Sequence, residues 1–334
     1  MPDESSSCKI TAIGVGVATF RILKMLKDML GTSVRTMVVG YDDGSLMKGD
    51  ADVKLKVGQV LRGLGACPNP ERGKSFAESS KDEIRGAIED SDAIFLIGEA
   101  GDDFVAGALP EIAGYSRDRS KLIISFLKYP FDFEGKKIGE FAEYCIRNSR
   151  EHSDAVIVLR VQNIPRLTGR VSFESLFQIS DILSFYILSS VILPFVVKDN
   201  EQIAEFMGTF NNSAIGEPAI GDSGKQGNEG ISEALNDALD SRLTDFDYIK
   251  AEKIYCNVFL RKKAVNYDLE SVKYNIRRFF PQSNIPIHFS FLERMDSEVM
   301  VVLLVMNAPK RIPTIGELGM DVINSATQRT VPFK

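Results

Sequence analysis

Histidine and cysteine are scarce in this 334-residue chain. Two histidines, His152 and His288, are too few for a histidine-rich metal site or a histidine-dependent triad. Four cysteines (Cys8, Cys67, Cys145, Cys256) lie far apart with no CxxC pair, which argues against a zinc site and a disulfide framework and fits a reducing cytosol. Positive charge is short as well. Forty Lys+Arg against 46 Asp+Glu leave a net charge of −6, which excludes a broadly basic nucleic-acid binder. No Walker A pattern is present, so the P-loop class is excluded. Residues 1–8 (MPDESSSC) are polar and acidic, the reverse of a signal peptide. The most apolar run, Ile182 to Val197, has 16 residues with three serines and Pro194 inside it. That is short of the roughly 20 needed to cross a bilayer, so a buried core helix in a soluble protein is expected.

What remains is ordinary globular material, 44% apolar and 26% charged, in a length that suggests two domains. Short apolar runs at 9–15, 34–39, 93–97, 122–127 and 155–159 read as buried strands. Amphipathic helical patterns at 17–30, 75–89, 105–115 and 135–148 alternate with them. Strands too apolar to have a wet face, alternating with helices, predict an α/β fold with a doubly wound parallel sheet. Ligands of such sheets bind beyond the carboxyl ends of the strands, so the loops at 14–19, 40–49, 98–104, 128–134 and 160–169 are expected to converge on one crevice. A long central helix over about 174–196 follows. Residues 211–230, with five glycines and no aromatic residue, read as a mobile loop. Beyond it, helices at 231–240 and 268–279 and strands at 253–261, 285–292 and 298–306 predict a smaller α+β domain with a mixed sheet. The residues from Pro309 onward read as a flexible tail.

Arg62–Gly73, RGLGACPNPERG, resembles the third nucleotide loop of the FtsZ branch of the tubulin superfamily, RGLGAGANPEVG. Lys128–Lys137, KYPFDFEGKK, resembles that family's TKPFxFEGKK, and Ile13-Gly14-Val15-Gly16 matches its opening IGVGGGG. DADVKL at 50–55 and SDIL at 180–183 fall where the family has similar segments. The order and spacing agree from about residue 9 to 308, and the chain is identified as a divergent FtsZ-like member of the superfamily. The resemblance implies a Rossmann-like GTP-binding domain (9–173), a central helix (174–197), an activation-like domain (198–308) and head-to-tail stacking of subunits. The family's nucleotide crevice falls on Gly14, Val15, Gly16, Asp42, Ala66, Cys67, Pro68, Asn69, Gly101, Asp102, Asp103, Phe104 and Pro130. Glu134 takes the ribose position and Asp181 the guanine-reading one. Asp199 and Glu201 are what remains of the catalytic loop.

The chain departs from the pattern where phosphates would lie. The signature GGGTGTG is Gly101-Asp102-Asp103-Phe104-Val105-Ala106-Gly107 here. Bare N–H groups at a helix start hold phosphate because glycine leaves room. A carboxylate about 5 Å from a phosphate charge costs on the order of 3 kcal/mol at an effective dielectric near 20. The run GGGGN becomes Val17-Ala18-Thr19-Phe20, the arginine after FEGKK becomes Ile138, and PND becomes Arg160-Val161-Gln162. Asp102 and Asp103 then have two readings, as caps of the following helix or as a magnesium site, while Phe20 and Phe104 are expected to fill the vacated crevice. The first functional reading is an FtsZ-like protein with little or no GTP binding or hydrolysis and no resident cofactor. It would act through contacts with itself or a standard FtsZ, in the cytoplasm and at the division site. The alternative is an active GTPase using GTP, GDP and magnesium. A third, reuse of the crevice for another ligand or a metabolic Rossmann enzyme, is disfavoured by the missing third glycine. Arg311–Ile315 (RIPTI) resembles part of the family's adaptor-binding tail, IPxFL. No nucleic acid and no membrane span are expected.

Overall fold

The computed structural model describes residues 8–58, 69–117, 121–169, 171–197, 210, 214–261, 269–280, 285–292 and 295–310. In chain order these form β1 (Ile10–Val15), α1 (Phe20–Leu30), β2 (Val34–Gly40), α2 (Asp43–Leu46), β3 (Val53–Lys56), α3 (Pro70–Ser79), α4 (Lys81–Ala87), β4 (Ala93–Glu99), α5 (Asp103–Ser116), β5 (Leu122–Tyr129) and α6 (Lys136–His152). There follow β6 (Ala155–Arg160), α7 (Ile164–Thr168), α8 (Phe173–Val197), β7 (Ala214–Ser223), α9 (Gly227–Asp240), β8 (Lys253–Leu260), α10 (Leu269–Phe279), β9 (Ile287–Phe291) and β10 (Val299–Met306).

All ten strands join one sheet in the order β3-β2-β1-β4-β5-β6-β7-β10-β8-β9. Strands β1 to β6 are parallel, as the buried, largely apolar runs of β1, β2, β4, β5 and β6 lead one to expect, while the edge strand β3 (VKLK) alternates half-buried and exposed residues. The order reverses between β1 and β4, and this is the switch point at which a crevice opens. One face of the sheet is covered by α1 and α8, the other by α3 to α6 and, further along, by α9 and α10. Helix α1 follows the expected pattern, burying Ile22, Leu23, Leu26 and Leu30.

Helix α8, at 25 residues, is longer than the apolar run suggests and is long and apolar enough to cross a membrane. Here Ile187, Leu188, Val191 and Ile192 are fully buried in one cluster with Phe95 and Ile124 of the parallel strands and Tyr255 and Leu304 beyond them. The Ser190 carbonyl accepts from Tyr255 Oη (2.6 Å) and Asn257 Nδ2 (3.0 Å), which ties the helix to β8.

Three expectations need correction. Residues 214–223 are a strand and α9 starts at Gly227, so most of the glycine-rich stretch is not a mobile loop. Its glycines allow close packing: a Cβ on Gly221 would run into the backbone of α9 at Ala234 and Ala238, and one on Gly216 into the Met306 thioether. Strand β7 pairs parallel with β6 and antiparallel with β10, so it joins the two halves into one sheet. The helix expected over 75–89 is two, starting at Pro70 and divided at Ser80. Pro309 and Lys310 are held rather than free, since Pro309 O accepts from Asp247 N (2.8 Å) and Lys310 bridges Phe246. The rest of the expected tail, from residue 311, lies outside the described residues.

Candidate functional site

At the phosphate side of the crevice the backbone groups are already engaged. In the turn after β1, Gly16 takes φ +84° and its N–H donates to Val39 O at 2.9 Å. Thr19 is fully buried and its hydroxyl donates back to Gly16 O (2.7 Å). Gly14 is needed because a Cβ there would collide with that same Thr19 hydroxyl. Val15 is a buried strand end.

The start of α5 is capped from within. Asp102 Oδ1 accepts from Val105 N (3.0 Å), and Asp103 Oδ2 accepts from Asn69 N (3.1 Å). Asn69 in turn caps α3 by accepting from Glu71 N (3.1 Å). Asp102 is thus the cap expected of it, whereas Asp103 does not cap α5 and holds the loop ahead of α3 instead. Among the described residues no cluster of three or more His, Cys, Asp or Glu is placed to hold a metal. Surrounding protein raises the Asp102 carboxyl above the usual range, helped by the charges of Asp103 and Glu99 and opposed by the Val105 N–H. Phe104 is buried with its ring edge-on to Tyr41 at 5.1 Å, and Arg72 lies over Tyr41 and Phe76 at 5.5 and 5.1 Å. Phe20 packs beneath Gly49 instead, on the α1 side, so of the two rings only Phe104 closes the start of α5.

The two surviving signature glycines serve packing. A Cβ on Gly107 would overlap the Pro70 carbonyl, and one on Gly73 the Phe104 carbonyl, so the pair lets α3 and α5 touch. Gly101 leaves room for Ile138 and Pro130. Asp42 accepts from Ser45 N (2.8 Å) and caps α2, and this bonding lowers its pKa.

On the other side of the switch point a cleft of about 240 Å³ remains open, lined by Glu99, Asp102, Pro130, Glu134, Phe177 and Ser180 among others. Lys128, only 6% exposed, occupies its floor. Its Nζ lies 2.7 Å from Glu99 Oε1 and 3.2 Å from Asp181 Oδ1, and Arg21 approaches Asp181 to 3.7 Å. Burial works against the Lys128 charge, but the two carboxylates outweigh it and raise its pKa. Glu134 accepts from Phe131 N (2.7 Å), whereas the buried Ser180 hydroxyl has no hydrogen-bond partner among the described residues.

Residues 9–169 match the Tubulin/FtsZ family, GTPase domain. The cell division protein FtsZ 1 of Methanocaldococcus jannaschii is 26% identical over 316 residues, spanning 92% of this chain and 85% of that protein. Residues 9–169 belong to the tubulin/FtsZ family. The structure of an FtsZ dimer described as empty, also from M. jannaschii, superposes with a TM-score of 0.81 at 22% identity, covering 94% of this chain and 95% of that one. A CetZ2 protofilament with GTPγS, from Haloferax volcanii, gives a TM-score of 0.67 at 15% identity over 96% and 99%. These two likenesses concern the fold.

In this FtsZ-like chain the structure brings Asn69, Asp103 and Phe104 together on one side of the crevice and Gly101, Pro130, Glu134 and Asp181 on the other, with Asp102 between them, capping α5 and lining the open cleft. Ala66, Cys67, Pro68, Asp199 and Glu201 lie outside the described residues. Sequence reasoning missed Glu99, Arg21 and Tyr41, and it missed the role of Lys128. The signal for Lys128 was present, since it stands where TKPF has threonine. Arg160, in place of the PND proline, lies over Tyr129 (4.7 Å) and pairs with the buried Glu217 of β7 (2.6 Å), fastening the two halves of the sheet.

Proposed function

We propose that this protein is a non-standard FtsZ-like cytoskeletal protein, working in the cytoplasm through protein contacts and with little or no use of GTP. The observation that carries this reading is the pair Asp102 and Asp103. Their carboxylates take the helix-start and loop N–H groups where a triphosphate would rest, and they place negative charge there. Lys128 and Arg21 support it by engaging the guanine-reading carboxylate of Asp181. The contacts would be with itself, as dimers and protofilaments of FtsZ and CetZ suggest, or with a standard FtsZ whose assembly it joins or regulates at the division site.

Calorimetric titration of GTP and GDP, with and without magnesium and after assay of released nucleotide, tests this. No bound nucleotide and no heat are expected. A second reading, an active GTPase with a metal-assisted phosphate loop, is favoured by the open cleft and the retained Glu134 and Asp181. Magnesium-dependent micromolar binding that disappears in Asp181→Ala, with turnover lost in Asp199→Ala, would establish that reading instead.

A further inference from the structure

Two of the carboxylates that line the open cleft have no cation of their own. Lys128 answers Glu99 and Asp181, and Arg21 approaches Asp181 as well. Asp102, between β4 and α5, and Glu134, between β5 and α6, line the same cleft and are both exposed. Each accepts a backbone N–H, from Val105 and Phe131, and neither forms an ion pair among the described residues. The cleft is walled by Tyr129, Phe131 and Phe177, and the two phenylalanine rings stand edge to face at 6.0 Å. Ser180 lines it too. Its hydroxyl belongs to a residue 1% exposed and has no hydrogen-bond partner among the described residues. A buried hydroxyl in that state is costly, and its oxygen is ready to accept from an incoming N–H.

The surroundings favour positive charge. Asp132 and Glu174 are exposed nearby, while Lys136 turns to Glu140 (3.7 Å) and Lys137 lies over the Phe141 ring (5.5 Å). A cleft of one prevailing sign with low-dielectric walls concentrates ions of the other sign. The Asp102 carboxyl is raised by its surroundings and by the charges of Asp103 and Glu99, an effect that an added cation reverses. Lys128 does not supply that cation, because Glu99 and Asp181 already share it. At about 240 Å³ the cleft is smaller than the roughly 300–1,000 Å³ of sites for drug-sized ligands. Its occupant is therefore a small molecule.

We infer that the cleft binds a small organic dication, a linear aliphatic diamine or polyamine, with ammonium groups at Asp102 and Glu134 and methylenes against Phe131 and Phe177. Ammonium groups are held by carboxylates through charge-assisted hydrogen bonds and by ring faces through cation–π attraction. The apolar stem between them suits an aromatic wall. Occupancy ties the start of α5 to the loop ahead of α6, across the switch point. This rests on the reading that the crevice takes little or no GTP, since a nucleotide base would contend for the same space.

Calorimetric titration of the nucleotide-free full chain with putrescine and spermidine, at fixed ionic strength, tests it. Butylamine, one ammonium short, and magnesium serve as controls. Both polyamines are expected to bind, with butylamine weaker by about fivefold or more. Asp102→Asn and Glu134→Gln keep their backbone hydrogen bonds, and each should weaken putrescine about fivefold. Combined, they should remove its advantage over butylamine. The putrescine methylene protons should shift upfield in NMR spectra through the ring currents, and Phe177→Leu should abolish that shift while circular dichroism shows the fold retained. Absence of polyamine binding overturns the site. So does heat that butylamine or magnesium reproduces, or that ignores both carboxylate variants, since charge screening alone explains it. Micromolar GTP that binds with magnesium and displaces putrescine overturns the reading beneath it instead.

Discussion

On the α5 side of the switch point the crevice is closed by side chains with packing duties, while on the β5 side a cleft stays open and charged. Asp102 caps a helix, Asp103 holds the loop ahead of α3, and Phe104 packs on Tyr41. Across the sheet order, Lys128 pairs with both Glu99 and Asp181, which Arg21 also approaches, on the floor of a cleft with aromatic walls. A phosphate site built from bare backbone is easily lost, because any added side chain claims the same N–H groups. On the proposed reading the open cleft is a former base pocket, because a space between side chains outlasts the loss of the groups that read the base.

The largest expected effect separates the two roles a signature glycine can have. Gly107→Ala should cost about 3 kcal/mol or more in denaturant unfolding, because its Cβ meets backbone of α3. Gly101→Ala should cost less, since the Ile138 side chain, 2.5 Å from the new Cβ, can move. Equal small losses would break the comparison.

Lys128→Met tests the open side. It leaves Glu99 and Asp181 without their shared cation, and a loss of about 2 kcal/mol is expected, discounted because Glu99 is partly exposed. The pKa of Lys128 is raised in the folded state. Its contribution is therefore full below the usual lysine value and fades as pH rises through the raised one. Melts of wild type and variant should converge only in strongly alkaline solution.

Asp102→Ala should remove a cap worth about 1 kcal/mol, whereas Asp102→Asn keeps the cap and removes a crowded charge. Because the Asp102 pKa is raised, its charged form is penalised as pH rises from the ordinary carboxylate range. The asparagine variant should therefore gain on wild type as pH rises from the ordinary carboxylate value, read as a difference in melting temperature. The smallest effect is at Ser180→Ala, where a buried hydroxyl without a hydrogen-bond partner among the described residues is deleted. Stability should hold or rise by up to about 1 kcal/mol.

The strands β1, β2, β4, β5 and β6 and the face of α1 were legible because periodicity and apolarity are local properties. The motifs at 62–73 and 128–137 carried the family, and the loss of the glycine signature was visible letter by letter. Strand β7 was not legible. Its glycines resemble those of a loop until the backbone of α9 is laid against Gly221, and sequence alone cannot tell a glycine that bends from one that lets a helix approach. Lys128, Glu99 and Asp181 come from β5, β4 and α8, and nothing near each one in the chain indicates that the three share a charge. Phe131 and Phe133 are likewise ordinary loop residues until the first turn of α8 brings Phe173 and Phe177 against them. The sequence by itself determined the elements, the family and which glycines were lost. The tertiary structure decided what the replacements do, because a side chain's partners are set by distance in space, and Arg160 finds Glu217 57 residues further along the chain.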